Sequence, residues 1–424
     1  MTRWLALTAA LACVLAVVPG EAAAKAAIPT SRADISYHSW TSDTDFAAGT
    51  AEGTTASGGA LGFGAAAGTL TYSDPYGYPA HAYEYARWTS PRYATPFAFT
   101  ELVSSWTADT PAGSWVQVEM HGRGDTGADS AWYVMGRWAW GDGDIHRTSV
   151  NGQSDALGSI STDTWFAARG HALGDYQLRV TLYRLPGTTG PTVRSVGAVA
   201  SALPSDKSVT TSPLGGAEGI ELAVPRYSQD IHTGQYPQYD GGGEAWCSPT
   251  STEMITEFWG ARPTSSQLSW VDPSYADPTV DFAARGAYDY AYNGTGNWPF
   301  NIGYAAGYGL EGQVVQLRSL NEAEQFIKAG IPLALSVSFK SSELDGAGYS
   351  TSGHLMVLVG FTASGDAIVN DPASPSDSAV RHVYKRGQLE NVWVPTTRSG
   401  GVAYVIHAAG TALPPNVANQ PANW

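Results

Sequence analysis

The segment Gly241-Gly242-Gly243-Glu244-Ala245-Trp246-Cys247-Ser248-Pro249-Thr250-Ser251-Thr252-Glu253-Met254-Ile255-Thr256-Glu257-Phe258-Trp259-Gly260 sets a cysteine between a glycine run and a helical pattern. Met254, Ile255, Phe258 and Trp259 recur at helical spacing, and Gly260 closes the pattern. The spacing predicts a helix over Pro249–Trp259 with Cys247 at its N-terminal end. Proline in the first turn removes an N–H that has no partner there. The positive end of a helix favours thiolate over thiol. Three glycines upstream leave backbone room for a substrate.

The cysteine arithmetic sharpens this reading. Only Cys13 and Cys247 are encoded. Residues 1–24 read as a signal peptide: Arg3 is the positive start, Trp4–Val18 the apolar stretch, and Ala22-Ala23-Ala24 the cleavage site. The 15-residue apolar run falls short of the ~20 residues a membrane span needs. Removal of the leader takes Cys13 with it. The expected mature protein is secreted, extracellular and free of the membrane, with one thiol and no intramolecular disulfide.

Downstream of the cysteine, Asp281–Tyr290 and Asn301–Tyr308 read as helices. Val314–Leu317 reads as a strand, Leu320–Ala329 as a helix and Leu333–Phe339 as a strand. Leu355–Phe361 and Ala367–Asn370 read as a hairpin through Ser364-Gly365, followed by a short helix over Gln388–Trp393 and a last strand over Val402–His407. Helices first and an antiparallel run later describe an α+β domain over residues 220–410. The hairpin brings His354, at the mouth of one strand, and Asp371, at the end of the next, to the same edge. A thiolate nucleophile needs such a base, and the base needs an orienting group. Asn370 is the rival orienter, but it points to the opposite face from Asp371. An oxyanion donor is also needed, and Gln229, Gln235 and Gln238 are the candidates.

Upstream the grammar differs. Residues 30–203 alternate apolar and polar, as in Val116, Val118 and Met120 against Gln117 and Glu119, or Tyr176, Leu178, Val180 and Leu182 against Gln177, Arg179 and Thr181. Further strands are expected at Gly68–Tyr72, Tyr83–Trp88, Phe97–Trp106, Ala131–Trp140 and Val193–Ala200, with no helical period. Many short strands with turn signals predict an all-β sandwich or jelly roll. Its many Trp and Tyr read as core more often than as a ligand platform. Residues 204–219 read as a linker and 411–424 as a flexible tail.

The composition bounds the partners. Lys+Arg is 23 and Asp+Glu 38, a formal net charge of −15, so phosphate backbones and anionic lipids are disfavoured. Charged residues are only 14% of 424, too few for a disordered solvated chain.

Four motifs in order, Val224-Pro225-Arg226-Tyr227-Ser228-Gln229, Ala245-Trp246-Cys247-Ser248-Pro249-Thr250-Ser251, Gly353-His354-Leu355-Met356-Val357-Leu358-Val359-Gly360-Phe361 and Val369-Asn370-Asp371-Pro372-Ala373-Ser374, resemble the bacterial family-39 cysteine peptidases. These are the papain-like group that includes bacteriocin-leader processing domains. Residues 296–310 and 329–339 are similar to the secreted actinobacterial branch. Ser248 stands where the family usually has glycine. The resemblance spans residues 221–408. It implies a papain-like fold in which Cys247 attacks, His354 is the base, Asp371 orients it and Gln229 holds the oxyanion. The implied activity is peptide-bond hydrolysis on a peptide or protein substrate, cell-wall peptide included, with no metal or cofactor. Two other readings stand beside it. One is a cell-wall amidase or endopeptidase of the same grammar. The other is a non-catalytic protein in which an inactive peptidase scaffold carries a glycan-binding sandwich. The sandwich could also serve as a pro-region, or use acidic residues such as Glu119 as a hydrolase in its own right.

Overall fold

The computed structural model describes residues 28, 30–124 and 127–424. The expected leader and Cys13 lie outside the described residues. The chain is mostly β-sheet with few helices. Residues up to Ser201 form two seven-stranded sheets. One holds β1 (Ile35–Trp40), β3 (Thr54–Ser57), β4 (Ala60–Phe63), β8 (Glu101–Asp109), β11 (Gly158–Ser161), β12 (Thr164–Ala167) and β14 (Thr192–Ser201). The other holds β2 (Thr50–Glu52), β5 (Gly68–Tyr72), β6 (His81–Thr89), β7 (Tyr93–Phe99), β9 (Ser114–Gly124), β10 (Tyr133–Trp138) and β13 (Leu173–Arg184). Their inward residues share one core. Val116, Val118, Met120, Leu178, Val180 and Leu182 from one sheet meet Trp106, Val196, Ala198 and Ala200 from the other. Alternation of apolar and polar residues drives this, since every second side chain points inward. Trp88, Trp106, Trp115, Trp138 and Trp165 are fully buried, so most of the tryptophan content is core.

Two expectations for this half are corrected. The run Phe97–Trp106 is two strands, β7 and β8, which end and begin on either side of Thr100. A five-residue helix, α1 (Asp43–Ala47), is present. It is held by a capping box in which Ser42 and Asp45 each satisfy the other's backbone N–H. So short a helix has no apolar period to read.

The second half carries one six-stranded antiparallel sheet. Its strand order is β15 (Glu311–Gln316), β20 (Val402–His407), β16 (Leu333–Phe339), β17 (Thr351–Phe361), β18 (Ala367–Asn370) and β19 (Arg381–Tyr384). Around it lie α2 (Cys247–Phe258), α3 (Pro278–Ala287), α4 (Trp298–Ala306), α5 (Leu320–Lys328) and α6 (Arg386–Trp393). Helix α3 begins three residues before its expected start because Pro278 occupies N1 behind Asp277. Asn297 caps α4 through the Phe300 N–H, which moves that start forward as well.

The halves are fused rather than strung together. Ala283 of α3 and Phe300 and Tyr304 of α4 belong to the sandwich core, while Ile35, Tyr37, Val103 and Val199 pack with Met254, Ile302 and Val314 of the second half. Buried Arg147 donates to the carbonyls of Ala139, Trp140 and Arg285 and so ties the two sides. On α4 a Cβ added at Gly303 would sit 2.7 Å from the buried Trp138 ring. Gly303→Ala is therefore expected to lower stability by about 1–2 kcal/mol, although alanine is the better helix former by about 1 kcal/mol. A lowered midpoint in thermal unfolding checks this; a raised one contradicts the interface.

The stretches expected to be loose are not. Residues 204–219 run as an extended strap along the second half. Asp206 accepts from Thr396 N–H, Val209 N–H donates to Asn391, and Ser212 N–H donates to Glu390. Glu324 accepts from the N–H groups of Gly215 and Ala217. The tail is docked too. Arg318 donates to the Pro421 carbonyl at 2.7 Å, Asn423 donates to Gln316 and Glu322, and Trp424 packs edge-on against Phe326. Pro, Ser and Asn content suggested a free tail, but the buried Trp424 indole anchors it.

Candidate active site

Helix α2 starts at Cys247 itself, on a buried N-cap residue, Trp246, that offers no side-chain cap. The first-turn N–H groups thus keep their positive end toward the thiol. Three contacts fix the helix. Trp246 Nε1 donates to the Tyr239 carbonyl at 2.6 Å. The buried Ser248 hydroxyl pairs with Tyr404 of β20 at 2.9 Å. Ser251 donates to the Leu355 carbonyl at 3.1 Å, beside His354. Ser248, at the position usually held by glycine, is thus an anchor to the sheet.

Sheet register supplies the partner. Val357 of β17 pairs with Asn370 of β18, and Val337 of β16 pairs with His354. Strand β17 starts at Thr351, so His354 lies inside it rather than opening it. His354 is 4% exposed and Asp371 is fully buried. The His354 Nε2 to Asp371 Oδ1 distance is 2.8 Å. The Cys247 thiol lies close enough to the ring to raise its pKa and lines the same cleft. With Nε2 committed to Asp371, Nδ1 is left for the sulfur.

Asp371 is held from several directions. Tyr349 hydroxyl donates at 2.9 Å and Tyr384 hydroxyl at 2.9 Å to Oδ2, and Ala373 N–H donates to Oδ1 at 3.1 Å. The two tyrosines come from the loop before β17 and from β19, and no sequence signal places them there. Asn370, the rival orienter, instead donates to the Pro225 carbonyl at 3.0 Å, under the segment that leads to Gln229.

Gln229 is 3% exposed and lines the same cleft as Cys247 and His354. Its backbone N–H donates to the Pro372 carbonyl at 2.9 Å, and its Nε2 donates to the Glu244 carbonyl at 2.7 Å. One amide hydrogen of Nε2 remains for a ligand. Gln235 is turned to His232 at 2.8 Å, and the exposed Gln238 does not line the cleft. The glycine run has a different purpose from the one expected. A Cβ at Gly243 would sit 2.3 Å from the Gln229 carbonyl oxygen, so this glycine lets the loop close on the Gln229 segment. Glu119 is locked in a two-pronged pair with Arg179 at 2.6 and 2.7 Å.

Electrostatics follow from this geometry. Burial alone would depress the His354 pKa, but Asp371 and then Cys247 beside it outweigh burial and raise it to about 10. Burial pushes the Asp371 carboxyl up, and the His354 imidazolium with the donated hydrogen bonds brings it below the usual 3.8. The sign for stability is set by both shifts. A raised histidine contributes in full below 6.5 and loses its contribution as pH rises through about 10. A lowered aspartate contributes above 3.8 and loses it as pH falls further. Wild-type thermal stability is therefore expected to fall as pH climbs through about 10, and His354→Gln to lack that step. The same step in both proteins contradicts the assignment.

Comparison with known proteins adds the family. Residues 221–400 match the model described as peptidase C39-like family, and residues 36–201 match the model described as peptidase C39 N-terminal domain. Each half of the chain thus matches a peptidase C39 family model. The two matches together point to a peptidase. Among solved structures, a Bacillus anthracis protein described as a C39-like peptidase is 16% identical, covering 46% of this chain and 100% of that one at a TM-score of 0.30. A laminarinase from Rhodothermus marinus is 13% identical over 42% of this chain and 93% of its own, at a TM-score of 0.17. Neither score supports an inference about fold or chemistry. No protein of curated function matches.

Proposed function

We propose that this chain is a secreted cysteine peptidase of papain-like design, hydrolysing peptide bonds through Cys247, His354 and Asp371 with Gln229 as oxyanion donor. The observation that carries the reading is the buried His354, hydrogen-bonded to Asp371 and lining one open cleft with Cys247 and Gln229. The thiolate adds to the amide carbonyl carbon, and the oxygen gains the negative charge. Cys247 N–H and the free Gln229 amide hydrogen stabilise that oxygen. The tetrahedral species collapses, the C–N bond breaks, and His354 gives its proton to the leaving amine. Water then loses a proton to His354, attacks the thioester and releases the acid and the thiolate. Asp371 keeps the ring oriented throughout and stabilises its charged form. Extracellular action rests on the leader sequence.

Acid quenching of the protein mixed with a peptide library, followed by mass spectrometry, tests the chemistry. An acyl mass on the Cys247 segment is expected, and its absence while peptides are cut contradicts the mechanism. Gln229→Ala is expected to lower kcat about 100-fold with little change in KM, as for loss of one oxyanion donor.

A further inference from the structure

One wall of the cleft is built from three distant parts of the chain that share one chemistry. The β11–β12 hairpin of the sandwich supplies Asp163 and Phe166, the glycine-rich segment Asp240 and Glu244, and the stretch before α4 Tyr292. The cleft holds about 750 Å³. Phe166 is 42% and Tyr292 49% exposed, so these rings are offered to the cleft rather than used as core. Tyr292 lies within the electrostatic reach of Asp240, Asp163 and Cys247.

The carboxylates on this wall have no cation. Among the described residues none of Asp163, Asp240 and Glu244 forms an ion pair. Asp163 accepts from Trp298 N–H at 2.8 Å, which fixes the sandwich hairpin to the start of α4. Asp240 accepts from Thr295 N–H at 2.9 Å. Arg398, the cleft's one lysine or arginine among the described residues, is already paired with Glu343 at 2.7 Å. Burial pushes the Asp163 carboxyl up to about 6 and Asp240 upward as well, as expected of carboxylates left without a counter-charge. An independent observation also asks for a donor. Gln229, nine-tenths buried in the same cleft, keeps its Oε1 without a hydrogen-bond partner.

We propose that this wall is a subsite for a cationic residue of the substrate, an ammonium or guanidinium group close to the scissile bond, held by the carboxylates and the open aromatic faces. This rests on the peptidase reading and names its substrate class. A cation over an aromatic ring is attracted by the ring's negative face. The net charge of −15 draws the same ligands toward the cleft. The sandwich is then a specificity wall of the peptidase, contributing Asp163 and Phe166 directly.

The test uses charged thiol reagents on the full mature chain. Aminoethyl, sulfonatoethyl and neutral methyl methanethiosulfonate are reacted with Cys247, each rate divided by that with a small free thiol. The cationic reagent is expected to exceed the anionic one about 10-fold or more at low ionic strength, with the ratio falling in salt. Asp240→Asn with Glu244→Gln is expected to bring the ratio close to one, and Tyr292→Ala, which alters only an exposed ring, to reduce it. Equal normalised rates in the wild type, with all reagents fast, would overturn the cationic subsite and leave the nucleophile reading intact. A neutral reagent no faster than with the free thiol would overturn both. Digestion of a mixed peptide library is expected to enrich Lys or Arg at one position beside the new ends; no enrichment overturns the substrate class.

Discussion

Replacing His354 with alanine is expected to reduce peptide hydrolysis by about four orders of magnitude, the loss typical of one member of a catalytic set that acts as a unit. The cause is specific. The imidazole is the group that faces Cys247 and is tied to Asp371 at 2.8 Å. In the proposed mechanism, without it no proton reaches the leaving amine and nothing takes one from water. Iodoacetamide labelling separates the two roles. His354 also favours the nucleophilic form of the thiol beside it, so labelling is expected to slow in His354→Ala, but far less than hydrolysis. Equal losses in both assays would mean that His354 only charges the thiol and does not transfer the proton.

Asp371→Asn is the second large effect. Asp371 is fully buried and accepts from Tyr349, Tyr384, the Ala373 N–H and the imidazole. The amide cannot stabilise the imidazolium, so burial again dominates the His354 pKa and drives it down from about 10. Hydrolysis is expected to fall about 10²- to 10⁴-fold, and the alkaline limb of the hydrolysis profile to move to lower pH. Tyr349→Phe removes one donor to the carboxylate and keeps its charge. It is a positioning change, expected to lower kcat modestly and leave that limb in place. Asp371→Ala carries a further loss of about 3–5 kcal/mol in stability, because it strands a buried imidazole and two phenols. An Asp371→Asn protein with the wild-type profile would remove Asp371 from the mechanism.

The parts legible in the sequence are those governed by neighbours along the chain. The hairpin from Leu355 to Asn370 announces itself by two apolar runs around Ser364-Gly365, and the start of α2 by Cys247 and Pro249. These same local signals put His354 and Asp371 at one edge. What was not legible depends on partners far away in sequence. The tyrosine clamp on Asp371 joins residues from β19 and a loop. The strap at 204–219 looks like a flexible linker by composition, yet its backbone finds Glu324, Glu390 and Asn391. The tail is fixed by an arginine more than a hundred positions upstream in the chain, Arg318. The sandwich's share in the cleft is of the same kind. Nothing around Asp163 hints at α4 until the two halves are packed together.

The most direct test of the account is digestion of a mixed peptide library by the protein and by its Cys247→Ala variant, with new peptide ends read by mass spectrometry. The account predicts new ends with the wild type, lost on prior alkylation and absent with Cys247→Ala. Identical peptide patterns from the two proteins, with Cys247 intact and reduced, would contradict it.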